Sequence, residues 1–137
     1  MNIYFMSVKE DIMKKEILST DKAPSAIGPY SQGVKIGDLV YTSGQIPVNP
    51  ATGEMETDIR KATERSMNNV KAILEEAGSS LENIIKTTIF LKDINDFAAV
   101  NEVYATFFNE NPPARSCVEV GKLPKDAVIE IEAIAHI

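Results

Sequence analysis

The sequence predicts an α+β fold in which two helices back a mixed β-sheet, in the order β-β-β-α-β-α-β-β. Two segments, residues 59–77 and 97–108, carry apolar side chains at helical spacing. Short segments rich in β-branched residues lie before, between and after them. Two helices cover only one face of a sheet whose strands are apolar on both sides, so we also expect assembly through the second face.

Short apolar runs and turn residues predict the first three strands. Residues 17–20 form a short first strand, and residues 23–30 form a loop punctuated by proline and glycine. Residues 32–36 and 39–42 flank the pair Gly37-Asp38, a two-residue connection suited to the primed turns of a hairpin.

Capping residues bound both predicted helices. The first begins at Ile59 after Asp58 and ends at Gly78. Residues 84–91 are apolar enough for a central strand, and residues 93–96 offer caps for the second helix. The apolar stripe of that helix is interpreted as core rather than as a ligand cage: Phe97, Val100, Tyr104, Phe107 and Phe108.

The last two strands, residues 113–120 and 127–134, carry charges among apolar residues. A period of two puts Arg115 on one face of the first strand with Cys117, and Glu130 on one face of the second with Glu132. A guanidinium and a carboxylate are therefore candidates to line one pocket. On pattern alone the alternative is a structural ion pair between Arg115 and a nearby glutamate, Glu119, Glu130 or Glu132.

Composition limits the kind of protein. With 137 residues, 44% of them hydrophobic, we expect one domain over residues 14–137. Residues 1–13 are interpreted as an N-terminal extension, a flexible tail. No long apolar run or signal peptide is evident, so we expect a cytoplasmic protein that makes no membrane contact. The net charge of −6 makes a nucleic-acid partner an unfavoured expectation.

The single cysteine and the single histidine exclude several chemistries. They cannot supply the three or four ligands of a zinc site, and the motif of the zinc deaminases is absent. No nucleotide-binding or hydrolase motif occurs either, so no metal and no cofactor are expected. The only histidine is His136, near the C-terminus, so Cys117 is interpreted as a pocket wall rather than as a nucleophile.

Four segments together resemble the RidA family, also called YjgF/YER057c/UK114: residues 26–33, 42–47, 113–120 and 123–133. The resemblance runs from about residue 15 to residue 137 in the family's order. It implies a chorismate-mutase-like layer fold and a homotrimer with sites in the clefts between subunits. It also implies a metal-independent deaminase that hydrolyses reactive 2-imino and enamine acids, such as 2-iminopropanoate and 2-iminobutanoate, to 2-oxo acids and ammonia.

The resemblance implies roles for individual residues as well. Arg115 would hold the substrate carboxylate through a bidentate contact, and Glu130 would position and activate water. As bare pattern, Asn101 is an ordinary helical asparagine, and the loop residues are turn or hairpin residues. The residues implied to line the cleft are Tyr30, Ser43, Asn101 and Cys117.

Two other functions stay open from the sequence. One is an endoribonuclease or translation inhibitor, a description that RidA-like proteins have also carried. The other is a trimer that binds small carboxylates through Arg115 without turning them over. Loss of RNA cleavage in Arg115→Ala would test the first function. The second would be indicated if the protein showed no imine hydrolysis and Glu130→Gln kept its affinity for small carboxylates.

Overall fold

The computed structural model describes residues 14–137. The predicted order β-β-β-α-β-α-β-β is confirmed. The extension expected over residues 1–13 lies outside the described residues. The strands are β1 (Lys15–Leu18), β2 (Gly33–Ile36), β3 (Leu39–Thr42), β4 (Ile84–Leu91), β5 (Ala114–Glu119) and β6 (Ile129–His136), and the helices are α1 (Ile59–Glu76) and α2 (Phe97–Ala105).

The six strands form one mixed sheet in the order β1-β2-β3-β6-β4-β5. Strands β4 and β5 are parallel, and every other neighbouring pair is antiparallel. The last strand, β6, is therefore central, between β3 and β4, whereas β1 and β5 are the edges. This order decides which predicted site residues meet.

Both helices lie on one face of the sheet, and the caps predicted for α1 are present. The Asp58 carboxylate accepts a hydrogen bond from the Lys61 N–H at 3.1 Å. After α1 the chain turns at Gly78, whose φ of +83° is a conformation that favours glycine. The core between helices and sheet includes Met67, Val70, Ile73, Leu74, Val40, Ile89, Leu91, Ile129 and Ile131.

The other face of the sheet has no cover among residues 14–137. Ile17, Val34, Tyr41 and Ile134 are cross-strand neighbours on that face. Ile17 is 58% exposed and Tyr41 is 43% exposed, although both are large apolar side chains. Exposed apolar patches are often sites of protein–protein contact in other proteins.

The structure corrects two details of the prediction for the second helix. Helix α2 ends at Ala105, so Phe107 and Phe108 lie beyond it. Phe97 is 40% exposed and does not belong to the core; it is the first residue of α2. No helix within residues 14–137 is both long and apolar enough to cross a bilayer.

Candidate functional site

A cavity of about 490 Å³ lies where the loops around β2 and β3 meet β6. Three of the predicted site residues, Tyr30, Ser43 and Glu130, line this cavity. Each comes from a different segment: a proline-rich loop, the end of β3, and the centre of the sheet. The sheet order brings them together because β6 pairs with β3.

Glu130 supplies an unusual carboxyl group to this cavity. It is half-buried on β6, and it has no hydrogen bond or ion pair to another side chain in the described part of the chain. Burial raises the pKa of Glu130, and the negative charge of Glu132 raises it further. A carboxyl group whose pKa is raised in this way is suited to accept and return a proton during catalysis.

Gly44 makes room for the Glu130 carboxyl group. A Cβ atom at position 44 would come within 2.7 Å of Glu130 Cδ, closer than real Cβ contacts allow. The carboxyl group thus packs directly on the backbone after β3. Gly44 lies in one of the segments that resemble the family, but the sequence pattern indicates no role for it, because only the fold shows what it faces.

The side chains of Tyr30 and Ser43 are fixed by their own loops. The Tyr30 hydroxyl accepts a hydrogen bond from the Ile27 N–H at 3.3 Å. The Ser43 hydroxyl donates to the Ser31 carbonyl oxygen at 2.6 Å. The Tyr30 side chain stays half-exposed at the cavity, whereas the Ser43 hydroxyl is used to join two loops.

Gln32, which sequence analysis did not single out, holds the cavity wall. Its side chain is buried, accepts from the Thr20 N–H at 2.7 Å, and donates to the carbonyl oxygens of Thr20, Ala23 and Pro24. A proline-punctuated loop has few backbone partners of its own, so a neighbouring polar side chain has to satisfy its carbonyl groups. The polar Gln32 next to a proline-punctuated loop was therefore the feature of the sequence that could have indicated this role.

Arg115 lies in a second group of site residues, beside α2. Its Nη1 donates a hydrogen bond to Asn101 Oδ1 at 2.8 Å. The guanidinium carbon lies 5.4 Å from the centroid of the Phe97 ring and 5.0 Å from that of Tyr104. None of the three ion pairs between residues 14 and 137 includes Arg115, so the alternative of a pair with Glu119, Glu130 or Glu132 is not seen there.

Cys117 lies beside Arg115 on the same face of β5. The thiol is half-buried, and burial raises its pKa more than the positive charge of Arg115 lowers it. A protonated thiol is a poor nucleophile, which agrees with the interpretation of Cys117 as a pocket wall.

The two groups lie on opposite faces of the sheet. Arg115 on β5 is level with Thr87 on β4, whose side chain faces the helices. Glu130 on β6 is level with Phe90, on the other face. The strand pattern alone made Arg115 and Glu130 candidates to line one pocket. Within a protomer the structure does not bring them together.

Residues 14–137 contain no group of three or more His, Cys, Asp or Glu side chains placed to hold a metal ion.

The chain is thus a small α+β protein with one mixed sheet and two helices. Its two groups of candidate site residues, around Arg115 and around Glu130, lie on opposite faces of that sheet. The chain belongs to the RidA (YjgF) family: residues 20–137 match the family model described as Endoribonuclease L-PSP. A RutC family protein of Haemophilus influenzae is 61% identical over 127 residues, covering 90% of this chain and 98% of the relative.

Further relatives carry names that describe an activity or a ligand. The 2-iminobutanoate/2-iminopropanoate deaminase of Escherichia coli K12 is 58% identical over 121 residues, covering 86% of this chain and 94% of the relative. The solved structure of E. coli TdcF with bound serine is 54% identical with a TM-score of 0.87, covering 89% of this chain and 98% of that one. The expected chorismate-mutase-like family fold is thereby confirmed.

Proposed function

We propose that this protein is a 2-iminobutanoate/2-iminopropanoate deaminase. The observation that carries the proposal is the pair of groups described above: an arginine held by Asn101 with no carboxylate partner within residues 14–137, and a half-buried glutamate with a raised pKa. The first group suits a small organic anion, and the second suits proton transfer. Relatives with the same name at 58% identity support this function.

We further propose that the sites form between the subunits of a homotrimer. Arg115 and Glu130 lie on opposite faces of the sheet, so a second copy has to bring its glutamate to the arginine. The uncovered apolar face around Tyr41 offers a surface for that contact. In this arrangement Asn101, Arg115 and Cys117 come from one subunit, and Tyr30, Ser43 and Glu130 come from its neighbour.

The reaction follows from the two groups. The Arg115 guanidinium holds the substrate carboxylate and so orients the C=N bond. Glu130 accepts a proton from water as the water oxygen bonds to the imine carbon, and it returns that proton to nitrogen. The hydroxyl proton of the resulting carbinolamine then passes through Glu130 to the nitrogen as the C–N bond breaks, and the products are a 2-oxo acid and ammonia.

This chemistry needs few catalytic groups. Free imines hydrolyse in water, so the barrier left for the protein to lower is modest. Two contributions are enough to lower this remaining barrier: orientation of the substrate and one group that transfers protons. We infer a cytoplasmic location from the cysteine content, because a chain with one cysteine cannot form the intrachain disulfides that are common in secreted proteins.

The test is ammonia release from freshly generated 2-iminopropanoate, with semicarbazide trapping as a second readout. Arg115→Ala and Glu130→Gln should each lose most of the activity. Arg60→Ala and Glu16→Gln are matched controls, because both side chains are exposed and outside the two groups. Unchanged turnover in both Arg115→Ala and Glu130→Gln would contradict the proposed roles.

The family description favours one other function, cleavage of RNA. The net charge of −6 weighs against it, because binding of a phosphate backbone rests on lysine and arginine. RNA cleavage that is present in the purified protein and lost in Arg115→Ala would support the ribonuclease. A protein that binds 2-oxo acids equally well with and without Glu130, and turns over no imine, would be a binder instead.

A further inference from the structure

One face of α2 holds the Arg115 side chain. Phe97, Asn101 and Tyr104 are spaced by four and three residues, so their side chains lie on the same side of the helix. Asn101 Oδ1 accepts a hydrogen bond from Arg115 Nη1. The guanidinium lies over the rings of Phe97 and Tyr104, and we call these two rings the aromatic clamp.

We propose that the aromatic clamp, with Tyr104 locked by Thr87, fixes the orientation of the Arg115 guanidinium for the substrate carboxylate. Phe97 and Tyr104 are then positioning residues. This inference rests on the proposed function, since it assigns their effect to the same anion-binding group.

The Tyr104 hydroxyl is the first support for this role. Tyr104 is 6% exposed and Thr87 is fully buried, and their hydroxyl groups form a hydrogen bond of 2.7 Å. Phenylalanine and valine would fill the same core space without buried polar groups, which are costly unless paired. The hydrogen bond between Tyr104 and Thr87 fixes the orientation of the Tyr104 ring, because it prevents the ring from turning away from the guanidinium.

The position of Phe97 is the second support. Phe97 is 40% exposed and so gives up part of the benefit of burial, and its ring lies against the guanidinium. A planar cation over aromatic rings directs its N–H groups sideways, in its own plane. Asn101 occupies one of these donors, and the remaining donors are left for a carboxylate.

The experiment measures inhibition by 2-oxobutanoate, the reaction product, and separates KM from kcat with 2-iminobutanoate. Phe97→Leu and Thr87→Val should each weaken inhibitor binding and raise KM by about 3- to 10-fold, the range that a lost cation–π contact corresponds to. The pH midpoint of activity should stay unchanged, because it belongs to Glu130. Phe108→Leu is the control, since that ring packs on Tyr104 at 4.9 Å, has no cation–π contact with Arg115, and should lower stability alone.

A cycle with Arg115→Lys tests the orientation itself. Lysine has no planar face to stack, so Arg115→Lys should weaken inhibitor binding less in the Phe97→Leu background than in the wild-type background. If the two losses multiply independently, or if Phe97→Leu and Thr87→Val both bind the inhibitor normally, the clamp proposal is overturned. In that case Arg115→Ala still decides the proposed function separately, because its inactivity would leave the deaminase assignment intact.

Discussion

At the scale of single residues, Glu132 tunes Glu130 by charge. The two carboxylates share the uncovered face of β6 and both line the cavity. Glu132 is the second cause of the raised pKa of Glu130, after burial. As a general base Glu130 acts in its ionised form, so activity should rise as the pH increases through its raised pKa.

Replacing Glu132 with glutamine should move that rise to lower pH. The like charge disappears while the shape stays, so the pKa of Glu130 falls; it stays above the ordinary value of 4.5 because burial remains. The measurement is the midpoint of kcat/KM against pH, with Glu16→Gln as a control that should not shift it. A midpoint that stays in place or moves upward would show that Glu130 does not set the profile.

Gly44 gives a second prediction at this scale. In Gly44→Ala the new methyl group would overlap the Glu130 carboxyl group and displace it. A displacement of about 1 Å in a catalytic group lowers rates by up to about 100-fold, so we expect kcat/KM to fall about 10- to 100-fold with folding preserved. Gly121→Ala is the control, because a Cβ atom there meets nothing within 4 Å. Equal activity in the two variants would rule out a need for this close contact.

At the scale of elements, the sequence predicted the features that depend on neighbouring residues, namely single strands, the hairpin turn and the helix caps. Residues 84–91 form β4 within the predicted bounds, and the Gly37-Asp38 hairpin and the caps of α1 are also present. Periodicity also placed Glu130 and Glu132 correctly on one face of β6, since both line the same cavity. The first strand was predicted over residues 17–20 but runs over Lys15–Leu18, because β1 is a short edge strand whose ends depend on pairing with β2.

Gln32 provides the prediction for this scale, because it joins β2 to the loop before it. Its side chain takes part in four hydrogen bonds, and a net value of about 0.5–1.5 kcal/mol each implies a loss of about 2–6 kcal/mol in Gln32→Ala. Urea unfolding at fixed protein concentration measures this loss. Gln45→Ala removes one side-chain hydrogen bond, to the Ser43 carbonyl oxygen, and should cost clearly less. Similar losses in both variants would mean that Gln32 does not anchor the loop.

At the scale of the whole molecule, the sequence did not reveal that the site residues form two groups. A period of two tells which side chains of one strand share a face, but it does not tell whether the faces of two strands coincide. That depends on the strand order, which places β4 between β5 and β6. Thr87 then faces the helices with Arg115, while Phe90 faces away from them with Glu130.

The separation of the two groups leads to a prediction about mixed assemblies. If each site combines Arg115 of one subunit with Glu130 of its neighbour, co-assembly of Arg115→Ala and Glu130→Gln chains restores some sites. In randomly mixed trimers each site draws an intact arginine and an intact glutamate with a chance of one half each, so about a quarter of wild-type activity should return.

The measurement is ammonia release after the two inactive variants are unfolded, mixed and refolded together, with sedimentation to verify trimers of both chains. Each variant refolded alone stays inactive. A mixture of Arg115→Ala with the double variant Arg115→Ala/Glu130→Gln should also stay inactive, because it contains no Arg115 at all. Mixed trimers without any regained activity would place the whole site within one protomer, against the opposite faces that Arg115 and Glu130 occupy.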